Sequence, residues 1–234
     1  MHQFFVPYID DNNLISLPDS EVKHFNVLRL TEKDDLFITD GKGTRCKVKV
    51  KENSKRQVIL EVLDKEILIK PSKEITIAIA PTKGNERFEW FLEKAVEIGV
   101  TRIIPFYSEF SERKKINPGR IQKIMVAALK QSMGSFLPEV ERITPFSKLI
   151  DLGGDSTTDS FMAHCRKKNL PLLKKKDLNK KSVCVMIGPE GGFSDKEIMI
   201  ATKNDWQEIS LGQSRLRTET AGIAAALTIK IVRE

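Results

Sequence analysis

The chain has 234 residues, with 39 Lys and Arg against 32 Asp and Glu, which gives a formal net charge of +7. At about 150 residues per domain this length suits one large domain or two smaller ones. The longest apolar run, 221–229, is far shorter than the roughly 18 residues that span a membrane. The three cysteines lie far apart and histidines are few, which argues against a disulfide framework or a metal site. Residues 1–5 also lack the layout of a secretory signal, so we expect a cytoplasmic protein.

The first 70 residues have the pattern of short strands around one helix. Residues 36–39 form a predicted strand, and the turn-rich segment 40–43 after it is a hairpin signal. Residues 45–51 alternate apolar and basic side chains, as in a strand with one buried face. A helix is predicted over 20–30. We expect residues 1–70 to form a small barrel-like β domain.

From residue 71 the pattern changes to alternating strands and helices. Residues 75–80 are almost continuously apolar, as in a strand buried on both faces of a parallel sheet. Residues 86–98 form a predicted amphipathic helix that Gly99 ends. Further strands are predicted at 102–106, 160–163 and 183–187, and a further helix at 120–133. We therefore expect residues 71–234 to form an α/β domain with a parallel sheet.

The excess of positive charge lies entirely after residue 70, because residues 1–70 hold 12 basic and 12 acidic side chains. Much of it comes from lysine-rich clusters between Arg166 and Lys181. Such clusters attract polyanions, including nucleic acids. A solvated surface is the commoner meaning of a lysine-rich run, so charge alone indicates nucleic acid only weakly.

A glycine-rich loop, Gly188-Pro189-Glu190-Gly191-Gly192-Phe193-Ser194, directly follows the predicted strand at 183–187. Its glycines allow the backbone to approach a ligand closely, although structural turns also use Pro and Gly. Ser194 and Glu197 have the spacing of a capping box, which predicts a helix start. The chain contains neither G-x-G-x-x-G nor G-x-x-x-x-G-K-[ST], which argues against an ordinary dinucleotide-binding fold and a P-loop NTPase.

The second distinctive segment is LGQSRLRTETAGIAAAL at 211–227. A short strand is predicted just before it, and Thr218 is predicted to be the N-cap of the helix that follows. One interpretation is a capped core helix with a polar lead-in. The alternative is a ligand site, because Arg215, Arg217 and Glu219 lie together at a helix start.

The segments GPEGGFS and LGxxxLRTETA together resemble the SPOUT class of RNA methyltransferases, and more narrowly the RsmE family, which methylates N3 of a uridine in bacterial 16S ribosomal RNA. Residues 24–29 resemble its H-x-x-V-L-R motif, and residues 83–99 its KG-x-x-R-x-x-W…K-x-x-E-x-G segment. Residues 111–113 and 131–132 resemble its S-E-R and Q-S elements. The chain departs from the family's pattern at two places. The arginine that usually follows the Q-S element is missing from residues 133–136, where it would make a substrate or dimer contact. Ser214-Arg215 stands where Arg-Ile is commoner in the family.

The resemblance implies a PUA-like, RNA-binding β-barrel at 1–70 and a SPOUT methyltransferase domain with a deep trefoil knot at 71–234. It also implies S-adenosylmethionine (SAM) as cofactor, no metal, a homodimer with its active site near the dimer interface, and 16S rRNA or the small ribosomal subunit as partner. Cofactor binding is carried over to Ile187, Gly188, Pro189, Glu190, Gly191, Gly192, Leu211, Gly212, Ser214, Leu216, Arg217, Thr218 and Ala221.

Methylation at N3 requires removal of the proton that N3 carries, and the base must be unpaired or flipped out. Glu190 and Glu219 are the candidate bases, although a carboxylate is a weak base here and either one could instead cap or orient. Arg217 could stabilise the developing uridine anion. RNA contacts are expected at Arg29, Lys83, Arg87, Arg113 and Lys114, for which plain surface charges are the alternative. Trp90 and Phe91 are assigned to the core rather than to base stacking.

Two other functions stay open. One is a SPOUT methyltransferase that modifies a ribose 2′-hydroxyl or another base in rRNA or tRNA. The other is a non-catalytic RNA-binding protein of ribosome assembly, which would bind RNA without regard to SAM. The PUA-like half and the LRTETA segment favour uridine N3 methylation over the first alternative. The intact glycine-rich loop and LRTETA segment argue against the second.

Overall fold

The computed structural model describes residues 1–28, 30 and 34–234. Arg29, which the sequence analysis assigns to RNA contact, lies outside the described residues. The described chain forms two compact units. The first unit comprises Met1–Lys70 and Met125–Leu137, and the second comprises Pro71–Ile124 and Pro138–Glu234.

The described strands of the first unit form one sheet. They are β1 (His2–Phe5), β2 (Leu14–Ser16), β3 (Leu36–Thr39), β4 (Thr44–Asn53) and β5 (Val58–Ile67), with helix α1 (Asp19–Leu28) between β2 and β3. The strand order is β1-β3-β4-β5-β2. The predicted hairpin is confirmed, because β3 and β4 pair antiparallel and Cys46 and Val48 turn into the core. Alternation in β4 therefore sets which face of this sheet is buried.

Residues 125–137 join the first unit through the end of helix α3 (Pro118–Gln131). The side-chain amide of Gln3 donates to the carbonyl oxygens of Leu129, at 3.2 Å, and Gly134, at 2.8 Å. Lys130 Nζ lies 2.8 Å from Glu21 Oε1 in a largely buried ion pair. No pattern in the sequence predicts this attachment.

The second unit contains a parallel sheet. Its described strands are β6 (Glu74–Ile79), β7 (Arg102–Tyr107), β8 (Glu139–Val140), β9 (Thr144–Pro145), β10 (Thr158–Ala163), β11 (Ser182–Ile187) and β12 (Gln207–Ile209). Their order is β12-β10-β11-β6-β7-β8, and β9 pairs with β7. All these described pairings are parallel, so the predicted α/β fold with a parallel sheet is confirmed.

The helices of this unit begin and end largely where their sequence signals lie. They are α2 (Asn85–Ile98), α4 (Phe146–Leu149), α5 (Asp195–Lys203) and α6 (Thr218–Arg233), together with the first half of α3. Gly99 ends α2 in the left-handed conformation with φ of 89°. The capping box of Ser194 and Glu197 is present at the start of α5. The prediction that Thr218 caps α6 is wrong: Arg217 occupies the N-cap position, and the Thr218 hydroxyl bonds instead to the neighbouring glycine-rich loop.

Three strands of the parallel sheet end level with one another. Ala163 pairs with both Ile187 and Ile209, so β10, β11 and β12 finish at the same edge. In open parallel sheets, ligands bind outside the carboxyl ends of the strands. The loops that follow these strands are therefore placed to form a site. None of the described helices is long and apolar enough to cross a membrane.

Candidate active site

The first cavity, of about 360 Å³, lies among the loops that follow β10, β11 and β12 and the start of α6. Every residue assigned to cofactor binding lines it except Arg217. It is lined by Ala163, His164, Cys165, Arg166, Ile187, Gly188, Pro189, Glu190, Gly191, Gly192, Phe193, Ser210, Leu211, Gly212, Ser214, Arg215, Leu216, Thr218 and Ala221. The volume is in the range of small-molecule sites, about 300–1,000 Å³.

The glycine-rich loop is shaped by positions that only glycine fits. A Cβ added at Gly191 would lie 2.8 Å from Cβ of Phe110, closer than real Cβ contacts allow. Gly192 has φ of +73°, in the left-handed region that side chains disfavour. The loop therefore packs closely against Phe110 and turns at Gly192, and residues 188–192 line the first cavity.

The glycine-rich loop and the start of α6 are joined directly. The buried Thr218 hydroxyl donates to the Gly188 carbonyl oxygen at 3.0 Å. Burial makes this hydrogen bond important, because loss of the hydroxyl would leave a buried acceptor without a partner. The glycine-rich loop and the LRTETA segment are thus connected by a hydrogen bond and pack next to each other.

The loop after β10 contributes wall residues that the sequence analysis missed. His164 Nε2 lies 2.9 Å from Glu208 Oε2, and the Arg166 backbone N–H donates to His164 Nδ1 at 3.3 Å. Since Nδ1 accepts, the imidazole proton is on Nε2 and donates to Glu208. Burial lowers the pKa of His164, and the hydrogen bond to Glu208 opposes that effect. Only the position of this loop in the sequence could have indicated that it lines the site, because it follows a predicted strand of the parallel sheet.

A second cavity, of about 590 Å³, lies beside the first. It is lined by Glu86, Arg87, Trp90, Arg215, Leu216, Arg217, Glu219 and Thr220. Arg215 and Leu216 line both cavities, so the two adjoin at these residues. The candidate catalytic residues Arg217 and Glu219 therefore lie in the second cavity rather than in the first.

Glu219 and Glu190 have different surroundings. Glu219 is 6% exposed, and its Oε2 has no hydrogen-bond partner among the described residues. Glu190 Oε1, in contrast, accepts from the Lys83 backbone N–H at 3.1 Å and pairs with Arg87 Nη2 at 3.0 Å. Glu190 is thus engaged in holding neighbouring elements, whereas Glu219 lines the second cavity and has a carboxylate oxygen without a hydrogen-bond partner among the described residues.

Of the basic residues assigned to RNA contact, Arg29 lies outside the described residues and Arg87 lines the second cavity, while the other three lie in the second unit. Lys83, Arg113 and Lys114 line a shallow depression together with Glu112 and Lys115. Lys83 pairs with Glu112 at 2.8 Å, and that hydrogen bond raises the pKa of the lysine. An exposed pair of this kind contributes little to stability, so its lysine is available to another anion.

Trp90 and Phe91 differ in their environment. Phe91 is fully buried, as assigned, but Trp90 is 42% exposed and lines the second cavity, so the assignment of Trp90 to the core is wrong. Helical periodicity placed both on α2 without showing that Trp90 lies at the edge of the buried face. Among the described residues, no group of three or more His, Cys, Asp or Glu side chains is arranged to hold a metal ion.

Comparison with known proteins adds sequence and structural relatives. A family model described as an RNA methyltransferase domain matches residues 70–230, and a model of an RNA methyltransferase PUA domain matches residues 17–63. The chain is 31% identical to ribosomal RNA small subunit methyltransferase E of Aquifex aeolicus, over 91% of this chain and 92% of that protein. It is 29% identical to the protein of the same name from Mesomycoplasma hyopneumoniae, over 95% of this chain and 96% of that protein.

The fold is also similar to a solved structure. The crystal structure of ribosomal RNA small subunit methyltransferase E from Neisseria gonorrhoeae, bound to SAM, matches with a TM-score of 0.85 and 28% identity. The match covers 97% of this chain and 95% of that chain. The similarity therefore includes both units, not the parallel sheet alone.

Proposed function

The chain belongs to the RsmE family of RNA methyltransferases, and we propose that it methylates N3 of a uridine in 16S ribosomal RNA with SAM as the methyl donor. One observation carries the proposal: the segment GPEGG and three residues of LRTETA, the two segments on which the family resemblance rests, line one cavity at the carboxyl ends of β10, β11 and β12. SAM-dependent methylation of ribosomal RNA is consistent with every relative described above.

The first cavity is the proposed SAM site. Gly191 lines this cavity, and its missing side chain lets the loop pack against Phe110, because a Cβ there would meet Phe110 at 2.8 Å. Adenine can be recognised by backbone amide and carbonyl groups without a charged side chain, which suits a loop of this composition. When bound, SAM supplies an activated methyl group, so the chain's own residues need to bind, align and exclude water.

The second cavity is the proposed site of proton removal and anion stabilisation. Glu219 would accept the uridine N3 proton at its free Oε2, and Arg217 would stabilise the negative charge that develops on the base. Glu190 would act as a positioning residue, because its Oε1 is already engaged by Lys83 and Arg87. Arg217 is thereby proposed for catalysis rather than for a wall of the SAM site.

The domain organisation, the RNA contacts and the oligomeric state are proposed from the resemblance to the family. Residues 1–70 would form the PUA-like β-barrel that binds RNA, and the match of residues 17–63 to a PUA domain supports this role. Residues 71–234 would form the SPOUT methyltransferase domain, with its deep trefoil knot. RNA contacts are proposed at Arg29, Lys83, Arg87, Arg113 and Lys114. The enzyme would act as a homodimer on 16S rRNA or the small ribosomal subunit in the cytoplasm.

The test is a methyl-transfer assay with labelled SAM on small ribosomal subunits that lack modifications, followed by nucleoside analysis. Label in 3-methyluridine is the expected result. Label on a ribose 2′-hydroxyl or on another base would favour a SPOUT methyltransferase of different target. Absence of both methyl transfer and SAM binding would favour a non-catalytic RNA-binding protein.

A further inference from the structure

Trp90 is an exception on its helix. The other aromatic side chains of α2, Phe88 and Phe91, are 2% and 0% exposed, whereas Trp90 is 42% exposed. Its indole lines the second cavity. An aromatic ring on a cavity wall is a surface on which a nucleic-acid base can stack.

Glu219 gives an independent indication of a ligand in the same cavity. Glu219 is 6% exposed and lines the cavity, yet its Oε2 has no hydrogen-bond partner among the described residues. A buried acceptor without a donor is costly unless a ligand supplies one. The occupant of this cavity should therefore carry an N–H or O–H group.

The charged residues around the opening suit a nucleotide. Arg215 and Arg217 are exposed, and no ion pair involves either one in the part of the chain that the structure describes. Guanidinium groups that are free of carboxylates can bind phosphate. Because Arg215 and Leu216 also line the first cavity, a base in the second cavity would lie beside the proposed SAM site.

We propose that the second cavity receives one flipped-out uracil, which stacks on the indole of Trp90 and directs its N3–H at Oε2 of Glu219. This inference rests on the proposed function. It adds where the target base binds and why the site prefers uracil to cytosine. Uracil N3 carries a proton that Glu219 can accept as a hydrogen bond. Cytosine N3 carries a lone pair instead, which a carboxylate repels, so Glu219 selects uracil over cytosine.

The first experiment asks whether Trp90 stacks on a base or instead makes an apolar contact with a second copy of the chain. Trp90→Phe keeps an aromatic surface, whereas Trp90→Leu keeps an apolar side chain without one. We expect kcat/KM for RNA to stay within about threefold in Trp90→Phe and to fall by about 10–100-fold in Trp90→Leu. SAM affinity by calorimetry and molecular mass by light scattering should stay unchanged in both variants. Equal activity of the two variants, or a change of mass in Trp90→Leu, would overturn the stacking role.

The second experiment does not depend on methyl transfer, so it distinguishes failure of this inference from failure of the proposed function. Short oligouridylate should quench tryptophan fluorescence of the wild-type protein but not of Trp90→Phe, because the remaining Trp206 is 1% exposed. Oligocytidylate should bind at least about tenfold more weakly than oligouridylate. In Glu219→Gln, whose amide can donate to cytosine N3, this preference should fall to about threefold or less. Quenching that persists in Trp90→Phe, or an unchanged preference in Glu219→Gln, would refute the site.

Discussion

The Thr218 hydroxyl donates a 3.0 Å hydrogen bond to the carbonyl oxygen of Gly188. This bond joins the first residue of α6 to the first residue of the glycine-rich loop, and it is buried. Because both segments line the first cavity, the shape of that cavity depends on their attachment. The geometry of the first cavity therefore depends on the Thr218 side chain, which takes no part in the proposed reaction.

Replacement of Thr218 by Val should loosen the proposed SAM site. The Gly188 carbonyl would remain buried without a donor, which costs about 1–3 kcal/mol. We expect SAM affinity to fall by about tenfold, as measured by calorimetry. Thr218→Ser keeps the hydroxyl and should bind SAM within about threefold of the wild type. If Thr218→Val and Thr218→Ser bind SAM equally, the hydrogen bond does not hold the site.

Gly191→Val should strongly weaken SAM binding while the protein still folds. A Cβ at this position would lie 2.8 Å from Cβ of Phe110, so the loop must shift into or away from the cavity. We expect affinity to fall by on the order of a hundredfold. Gly154→Ala is the matched control, because nothing lies within 4 Å of a Cβ there. Retained SAM binding in Gly191→Val, with thermal unfolding near that of the control, would mean that the loop does not form the SAM site.

The sequence predicted the parallel sheet and drew attention to the two segments that line the first cavity, because both features depend on local patterns. The apolar run at 75–80 indicates a strand buried on both faces, and the glycines after residue 187 indicate a loop that approaches a ligand. The attachment of residues 125–137 to the first unit was not predictable in this way. Helical periodicity shows which face of α3 is apolar, but not that Glu21 and Gln3 supply the partners for that segment.

The site residues that the sequence analysis missed or misplaced depend on tertiary position. His164 belongs to no motif and reaches the first cavity only because β10 ends level with β11 and β12. Trp90 has the spacing of a core residue, yet it lies at the edge of the buried face of α2. Thr218 has the composition of an N-cap, but its hydroxyl bonds to a loop thirty residues earlier in the chain. The positions of these three residues depend on contacts between parts of the chain that are distant in sequence.

Glu219→Gln and Glu190→Gln should affect different steps. Glu219→Gln removes the proposed proton acceptor and should lower kcat by about 10²–10⁴-fold with SAM affinity unchanged. Glu190→Gln weakens the contacts to Arg87 and Lys83, so we expect a rise in KM or SAM Kd of about tenfold and a much smaller effect on kcat. Steady-state kinetics and calorimetry measure both. Glu139→Gln, at an exposed position in β8, is the control. A larger loss of kcat in Glu190→Gln would reverse the two roles.

Stability should fall as the pH drops below about 6.5, the ordinary pKa of histidine, in part because of His164. Burial holds the pKa of His164 below that value in the folded protein. As the pH falls, the unfolded chain therefore binds the proton first, and unfolding becomes more favourable. The contribution of His164 is fully present above the unfolded pKa and is lost between that value and the folded one.

The measurement is thermal unfolding between about pH 7.5 and about pH 5.5. His164→Gln cannot titrate, so its melting temperature should depend less on pH over this interval. Equal pH dependence of the variant and the wild type would show that His164 is not the responsible group. Lys167 and Arg166 stay charged over this interval in both proteins, so the comparison removes the imidazole and its contact with Glu208.

The buried ion pair of Glu21 and Lys130 should be the main polar attachment of residues 125–137 to the first unit. Their side chains are 7% and 17% exposed, and Nζ lies 2.8 Å from Oε1. Glu21→Gln leaves the lysine charge buried without its partner, so the free energy of unfolding should fall by about 3 kcal/mol. Asp35→Asn breaks the exposed pair with Lys47, at 56% and 48% exposure, and should cost less than about 1 kcal/mol. Urea denaturation of the full chain compares the two variants, and equal losses would show that burial of the Glu21 pair adds nothing to the attachment.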